Sequence, residues 1–260
     1  MMELNGGPAR PEQIKALALT NYGHFTSMLV DEGRVRGLSL HLERLTRDCR
    51  RLFDADLDTE KVRHLTRHAL EGVSRPIVVR VTVFDPNLEL GHPGADADPH
   101  VLVTSRTAGR TPQPPLRLQS AFHCRDLPEV KHVGLFGTLR LRRVAQVNGY
   151  DDMLFTDAQA NVSEAVTSNV GFFDGESVVW PKAEVLTGVT MALLRQTHSG
   201  QTVTAPVNLA QLGDMQAAFA TNAVAGVRAI TSVDDTRWTD QHPIIERLRQ
   251  EYEAVHLEPL

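Results

Sequence analysis

Apolar residues recur at helical spacing in the first third of the chain. Residues 39–53 repeat apolar side chains three and four positions apart, which predicts an amphipathic helix with Ser39 as its N-cap. The positions that carry this pattern are Leu42, Leu45, Cys49, Leu52 and Phe53. Further helices are predicted over 59–73, 139–149, 187–198 and 244–252, the second of these ending at the stop signal Asn148-Gly149.

A second pattern, rich in β-branched residues, predicts strands. It is clearest over 77–84, and shorter versions follow over 101–104, 153–156 and 162–166. The dipeptide Asp174-Gly175 lies between two apolar runs, which is typical of a β-hairpin, and 217–230 is predicted to be mostly strand and turn. Because strands and helices mix without strict βαβ alternation, the predicted fold class is α+β.

Three prolines in the segment Arg110-Thr-Pro-Gln-Pro-Pro predict a stiff connector between two domains. We therefore expect a small N-terminal α/β domain over 1–108 and a linker over 109–118. A larger C-terminal domain over 119–260 would then carry Lys131.

Composition excludes several functions. The 260 residues are 42% hydrophobic and 23% charged, with a formal net charge of −5, so there is no basic footprint for nucleic acid. No apolar run approaches the roughly 20 residues that span a bilayer. Cys49 and Cys124 lack the spacing of a disulfide framework, which indicates free thiols and a cytoplasmic protein.

Known cofactor fingerprints are also absent from the sequence. There is no Gly-rich dinucleotide motif, no P-loop and no Cys-x-x-Cys pair. The loop residues His92, Asp96, Asp98 and His100 are interpreted as solvated, so no metal site is expected.

Lys131 and Glu164 have local contexts that favour chemistry over packing. The chain has only four lysines among 27 basic residues, and Lys131 lies between apolar neighbours. Unlike arginine, a lysine can lose its proton and form a Schiff base. Glu164 lies in a small apolar strand with no second charge after it, where a buried carboxylate is costly unless it is paired.

Five motifs in order make the chain resemble a known family. They are Gly23-His-Phe-Thr-Ser-Met-Leu-Val30, His41-Leu-Glu-Arg44-Leu, Lys131 with Glu164 thirty-three positions later, Gly149-Tyr-Asp-Asp-Met-Leu-Phe155, and Leu186-Thr-Gly-Val-Thr190. Over about residues 22–227 the chain resembles the fold-type IV (class IV) pyridoxal-phosphate enzymes. These include the branched-chain and D-amino-acid aminotransferases and aminodeoxychorismate lyase.

The resemblance implies a two-domain enzyme with its active site between the domains, and typically a homodimer. It implies that Lys131 forms the Schiff base with pyridoxal 5'-phosphate and acts as general base on an amino-acid or keto-acid substrate. Glu164 would then hold the pyridine nitrogen. The remaining implied positions are Arg44, Gly188, Val189, Thr190 and Thr221 at the phosphate, Ser168 and Asn169 along the cofactor, and Phe25 and Thr26 on the substrate side.

One departure from the family leaves the reaction open. Where relatives often carry an Arg-Gly that engages the substrate carboxylate, this chain has Val83-Phe84. Arg106, Arg110 or Arg140 would have to supply that function, or the substrate differs. Aminotransferase is the main interpretation. The alternatives are a lyase that eliminates pyruvate and a relative that keeps the fold without catalysis.

Overall fold

The computed structural model describes residues 1–73, 75–109 and 113–260. Their strands are β1 (Met2–Leu4), β2 (Gly7–Pro8), β3 (His24–Asp31), β4 (Arg34–Arg36), β5 (Ile77–Phe84), β6 (His100–Thr107), β7 (Leu116–Phe122), β8 (Asp152–Thr156), β9 (Val162–Ala165), β10 (Ser168–Phe173), β11 (Ser177–Pro181), β12 (Gln201–Ala205), β13 (Ala217–Asn222), β14 (Gly226–Val233), β15 (Thr236–Arg237) and β16 (Leu257–Pro259). The helices are α1 (Pro11–Thr20), α2 (Leu38–Phe53), α3 (Thr59–Ala69), α4 (Phe136–Val147), α5 (Val189–Thr197) and α6 (Pro243–Glu253), with a 3-10 helix over Leu209–Asp214.

The chain divides into two units. The first comprises Met1–Ala108, Val130–Gly134 and His256–Leu260, and the second comprises Gly109–Glu129 and Leu135–Val255. The short segment around Lys131 therefore packs with the N-terminal residues, which corrects the expectation that the C-terminal domain carries this lysine.

The first unit is an antiparallel sheet covered by helices. Its strand order is β16-β4-β3-β5-β6-β1-β2. The helix α2 packs against β3, and its buried side chains Leu45, Cys49 and Phe53 join the β-branched residues of β5 in one hydrophobic core. The amphipathic spacing in the sequence is thus explained by burial of one helix face on the sheet.

The second unit contains a closed ring of strands. Six strands pair in the order β10-β13-β14-β7-β8-β9, and β9 pairs again with β10. On its second edge β10 pairs first with β9, through residues 168–169, and then with β11, through residues 172–173. Since β10 serves three neighbours, β11 and β12 extend the sheet beyond the ring.

Most predicted elements are confirmed, with shifted ends. Strand β5 covers 77–84 as predicted, and the hairpin around Asp174-Gly175 joins β10 to β11. The predicted N-cap Ser39 is wrong, because α2 begins at Leu38 after Gly37, which has a φ of 67°. Helix α4 begins three residues earlier than expected, at Phe136.

The predicted linker 109–118 is partly strand. Strand β7 begins at Leu116, so 116–118 belong to the sheet of the second unit. Arg110 and the neighbouring positions 111 and 112 lie outside the described residues. None of the described helices is long and apolar enough to cross a membrane.

Candidate active site

The backbone of Lys131 is held on both sides within the first unit. Its N–H donates to Asp48 Oδ2 at 3.0 Å, and its carbonyl accepts from the N–H of Phe25 at 2.9 Å. Two residues on, the N–H of Val133 donates to the carbonyl of Gly23 at 2.9 Å. Gly23 must lack a side chain, because a Cβ there would lie 2.7 Å from the Val83 carbonyl oxygen. Lys131 is therefore fixed in register against the first residues of β3.

Two cationic side chains, Arg80 of β5 and Lys131, lie close to the ring of Phe25. The guanidinium carbon of Arg80 lies 3.6 Å from the ring centroid, and Lys131 Nζ lies 5.1 Å from it. Arg80 is half-buried, and burial lowers the pKa of its guanidinium. Its Nε donates to Thr82 Oγ1 at 3.2 Å, and no carboxylate of the described chain pairs with it. Arg80 is thus a half-buried cation near Lys131 that no acidic side chain of the described residues neutralises.

Thr26 lies between two buried side chains of α2. Arg44 Nη2 donates to Thr26 Oγ1 at 2.5 Å, and that oxygen lies 2.6 Å from His41 Nδ1. Since Arg44 donates to both Thr26 and His41 Nδ1, the hydroxyl proton of Thr26 goes to Nδ1 and His41 carries its own proton on Nε2. Thr26 is fully buried, and its hydroxyl contacts Arg44. A residue on the substrate side would be expected to be exposed to solvent, and Thr26 is not.

Burial and neighbouring cations depress the basicity of this cluster. Burial lowers the pKa of Arg44 to about 10. Burial, with the charges of Arg44 and Lys131, holds the pKa of His41 well below its usual range. Arg44 Nε and His41 Nε2 have no hydrogen-bond partner among the described residues. Buried donors in a positively charged environment are suited to an anion.

A second buried histidine, His24, lies beside this cluster. Neither of its ring nitrogens has a partner among the described residues, and its ring packs 6.1 Å from that of Phe53. Burial, with the charges of Arg44 and Arg47, lowers the pKa of His24 to about 3. His24 is therefore neutral at physiological pH.

In the second unit, three of the predicted residues form one row across adjacent strands. Asn169 of β10 is paired with Glu164 of β9 on one side and with Thr221 of β13 on the other. Directly opposed residues project from the same face of a sheet. All three side chains are buried, and Thr221 Oγ1 has no hydrogen-bond partner among the described residues. The register of the sheet thus collects three polar groups on one face.

Asn169 also holds the start of α5. Its Nδ2 donates to the Leu186 carbonyl at 2.7 Å, and its Oδ1 accepts from the N–H of Gly188 at 3.0 Å. A Cβ on Gly188 would lie 2.2 Å from Asn169 Oδ1, so only glycine permits this contact. Behind it the buried Thr190 hydroxyl lies 3.4 Å from the Tyr252 hydroxyl. Asn169 therefore connects the predicted anion site at the start of α5 to the row formed by Glu164, Asn169 and Thr221.

Glu164 has the partner that its burial requires. Arg125 Nη1 lies 3.0 Å from Glu164 Oε1, and the two side chains are only 9% and 8% exposed. The same nitrogen donates to the Pro128 carbonyl at 3.4 Å. Sequence reasoning missed Arg125, although the cost of a lone interior carboxylate was a signal to look for a basic partner.

The structure places the remaining predicted residues as follows. In the first unit it brings Lys131, Phe25, Thr26 and Arg44 together around the start of β3. In the second, Ser168 accepts from Asn222 Nδ2 at 3.0 Å, at the start of β10, and Val189 is buried in the first turn of α5. Arg106 at the end of β6 and Arg140 on α4 are both exposed. Among the described residues no group of three or more His, Cys, Asp or Glu side chains could hold a metal ion.

Comparison with known proteins decides the family. The sequence profile described as "Amino-transferase class IV" matches residues 23–233. The chain belongs to the class IV amino-transferase family. This confirms the predicted family and its α+β fold. It also confirms the prediction of an aminotransferase-type enzyme and of pyridoxal phosphate as the cofactor of the family.

Solved structures show the same fold at low sequence identity. A branched-chain aminotransferase from the thermophilic archaeon Thermoproteus uzoniensis, with norvaline, is 16% identical with a TM-score of 0.86, covering 97% of this chain and 93% of that one. A putative 4-amino-4-deoxychorismate lyase from Legionella pneumophila is 22% identical with a TM-score of 0.79, covering 93% of each chain. A hypothetical aminotransferase from Mycobacterium tuberculosis, in its PLP-bound form, is 18% identical with a TM-score of 0.82, covering 98% of each. No curated protein matches this class IV amino-transferase.

Proposed function

We propose that this class IV amino-transferase is a pyridoxal-phosphate-dependent aminotransferase that acts on an amino acid and a keto acid through Lys131. The observation that carries the proposal is the row of Glu164, Asn169 and Thr221, three buried polar side chains on one face of the sheet, in which Thr221 Oγ1 has no hydrogen-bond partner among the described residues. The family match spans this row and Lys131.

The unsatisfied polar groups fit the phosphate of the cofactor. The Arg44 guanidinium supplies a buried cation with an unpartnered Nε, and Thr221 supplies an unpartnered hydroxyl. The first turn of α5, at Val189 and Thr190, supplies backbone N–H groups and the positive end of a helix dipole. Each of these groups, taken by itself, is of a kind that donates hydrogen bonds to a phosphate dianion.

Lys131 and Glu164 fit the two reactive ends of the cofactor. When bound, pyridoxal phosphate supplies an electron sink for the bond that breaks at the substrate Cα. The Lys131 amine would hold the cofactor and would move the proton of the substrate Cα as general base. The Glu164 carboxylate would hold a proton at the pyridine nitrogen. Asp48 and Phe25 hold the backbone from which the lysine works.

Arg80 is the best candidate for the substrate carboxylate. It shares the Phe25 ring with Lys131, it is half-buried, and no acidic side chain of the described chain pairs with it. Arg106 and Arg140, which the sequence favoured, are exposed. A guanidinium held on an aromatic face presents its remaining N–H groups in the fork geometry that carboxylates bind.

We further propose that the protein is a homodimer. Helix α4 carries the exposed apolar side chains Phe136, Leu139, Val144 and Val147, of which Phe136 is 82% exposed. They lie on one side of the helix, interspersed with the exposed Arg140 and Arg143, and a cluster of exposed apolar side chains is typical of a protein interface. The partner is a second copy of this chain. Light scattering on the purified protein and on the variant Phe136→Glu tests this: dimeric wild type and monomeric variant are expected.

We also propose that the protein works in the cytoplasm. Neither Cys49 nor Cys124 forms a disulfide, and Cys124 is exposed, as suits a reducing compartment. Fractionation of cells that produce the protein is the test.

The experiment that tests the function is the visible absorption spectrum of the purified protein with pyridoxal phosphate. The spectrum is recorded before and after L- and D-amino acids are added, alongside Lys131→Ala. We expect a visible band that the variant lacks and that converts with one class of amino donor. A wild type that forms no such band, or a Lys131→Ala variant that retains it, contradicts the proposal.

A second candidate function is elimination of pyruvate by a lyase. It is supported by the likeness to the putative 4-amino-4-deoxychorismate lyase at a TM-score of 0.79. If the visible band forms and no amino donor converts it, while 4-amino-4-deoxychorismate yields pyruvate, the lyase replaces the aminotransferase.

A further inference from the structure

Arg125 and Glu164 form an ion pair that is almost completely removed from solvent. The distance between Nη1 and Oε1 is 3.0 Å, and the side chains are 9% and 8% exposed. Pairs of this kind contribute little net stability, because desolvation of both charges offsets their attraction. Removing one partner is nevertheless costly, since the other charge then remains buried alone. The pair therefore points to a functional requirement for the charge on Glu164.

The position of each partner along the chain supports this view. Arg125 lies between β7 and the Lys131 segment, and its Nη1 also donates to the Pro128 carbonyl at 3.4 Å. The guanidinium is thus tied to backbone as well as to carboxylate. The backbone of Glu164 is fixed by the pairing of β9 with β10, in which Glu164 lies opposite Asn169. Both the backbone and the carboxylate of Glu164 are therefore held before any ligand binds.

We propose that Arg125 is a positioning residue that keeps Glu164 ionised and correctly oriented, so that a bound pyridine ring retains the proton on its nitrogen. This inference rests on the proposed function. A buried carboxylate without a cation binds a proton more tightly. The positive charge of Arg125 opposes protonation of the Glu164 carboxylate. A proton between this carboxylate and the nitrogen of a bound pyridine ring would therefore stay on the nitrogen. Arg125 acts only through Glu164.

A double-mutant cycle in the cofactor-free protein tests the first half of the proposal. Thermal unfolding of the full chain is compared for wild type, Arg125→Met, Glu164→Gln and the double variant. Arg125→Met should lower the melting temperature by about 10 °C, because it removes the cation that faces a buried carboxylate. Glu164→Gln added to it should restore most of that loss. If the double variant stays as unstable as Arg125→Met, the two residues are not coupled and the proposal fails.

Cofactor binding tests the second half. The dissociation constant of pyridoxal phosphate and the absorption maximum of the bound cofactor are measured for wild type, Arg125→Met and Arg125→Lys. Arg125→Met should bind about tenfold more weakly and shift the absorption maximum, and Arg125→Lys should rescue part of both changes. Unchanged binding and spectrum in Arg125→Met would reduce Arg125 to a structural role and overturn the proposal.

The two measurements also separate this inference from the proposed function. A wild type that binds no pyridoxal phosphate contradicts the proposed function, and the inference falls with it even if the unfolding cycle shows coupling. A wild type that binds and converts the cofactor, beside an Arg125→Met variant with unchanged cofactor affinity and spectrum, contradicts the inference alone.

Discussion

The carboxylate of Asp48 on α2 accepts a hydrogen bond from the backbone N–H of Lys131, with 3.0 Å between Oδ2 and the nitrogen. Asp48 is fully buried, and its Oδ1 accepts from Arg47 Nη2 at 2.7 Å. An acidic side chain that would ordinarily face water on a charged helix therefore holds the backbone of the candidate catalytic lysine.

We predict that Asp48→Ala lowers the free energy of unfolding by about 1–3 kcal/mol, because a buried N–H loses its acceptor. Binding of pyridoxal phosphate should weaken as well, since the Lys131 backbone loses one of the two hydrogen bonds that hold it. Asp48→Asn is the matched control, because it keeps an acceptor for the Lys131 N–H. Chemical denaturation and cofactor titration measure both effects. If Asn and Ala variants behave alike, the contact with Lys131 does not matter.

Arg44→Met should affect stability and binding in opposite directions. A base whose pKa is lowered to about 10 by burial is charged at a cost in the folded state at every pH below about 10. The cofactor-free variant should therefore be at least as stable as wild type, by up to about 3 kcal/mol. Affinity for pyridoxal phosphate should fall by about 10- to 100-fold. Arg50→Met, an exposed arginine on the same helix, should change neither.

His24 should make the protein sensitive to acid. Between its unfolded pKa of 6.5 and its folded pKa of about 3, the unfolded chain binds a proton that the folded chain does not. Stability therefore falls as the pH falls through this window. His24→Leu removes this contribution, so the variant should gain about 2 kcal/mol over wild type on going from pH 8 to pH 5. Parallel stability curves for the two proteins would contradict this assignment.

Gly188→Ala should damage the start of α5. The added Cβ would lie 2.2 Å from Asn169 Oδ1 and would break the contact between that oxygen and the Gly188 N–H. We expect a loss of about 1–3 kcal/mol in the free energy of unfolding and weaker binding of pyridoxal phosphate. Gly213→Ala is the control, because nothing lies within 4 Å of a Cβ at that position. Equal effects of the two substitutions would show that the Asn169 contact is unimportant.

Arg80→Met should impair recognition of substrates that carry a carboxylate. The Michaelis constant for an amino acid or keto acid should rise by about 10- to 100-fold, as expected for loss of a charged hydrogen bond. The constant for a primary amine without a carboxylate should change little. Arg106→Met is the control, because Arg106 is exposed at the end of the adjacent strand. A larger effect from Arg106→Met would transfer the role to that residue.

Local patterns in the sequence predicted the elements well, and contacts between distant residues were harder to predict. The β-branched run 77–84 and the amphipathic stretch 39–53 identified β5 and α2, because period and propensity are local properties. Helix α1 was missed, since it has a weak apolar pattern and only Ala16 is buried in it. The pairing of residues 130–134 with the start of β3 depends on single hydrogen bonds, which no periodicity encodes.

The sequence pointed to those candidate-site residues that lie in a recognisable motif. It did not point to residues that reach the site only through contacts made on folding. Lys131 and Glu164 were singled out from their sequence contexts, and Arg44 was singled out by the motif His41-Leu-Glu-Arg44-Leu of the family resemblance. Arg125 is thirty-nine positions from Glu164 and Arg80 lies inside an ordinary strand pattern, so neither was singled out. Thr26 was predicted beside the substrate, but its hydroxyl turns inward to Arg44.

The row of Glu164, Asn169 and Thr221 ties ligand recognition to strand register. Only two residues, Val166 and Thr167, connect β9 to β10, so this tight turn sets which residue faces Glu164. A one-residue insertion at the turn would rotate every later side chain of β10 to the opposite face. Asn169 would then point into the hydrophobic interior and Ser168 would take its place opposite the carboxylate. A single extra residue in a surface turn would therefore erase the binding face while every side chain that forms it remained in the sequence.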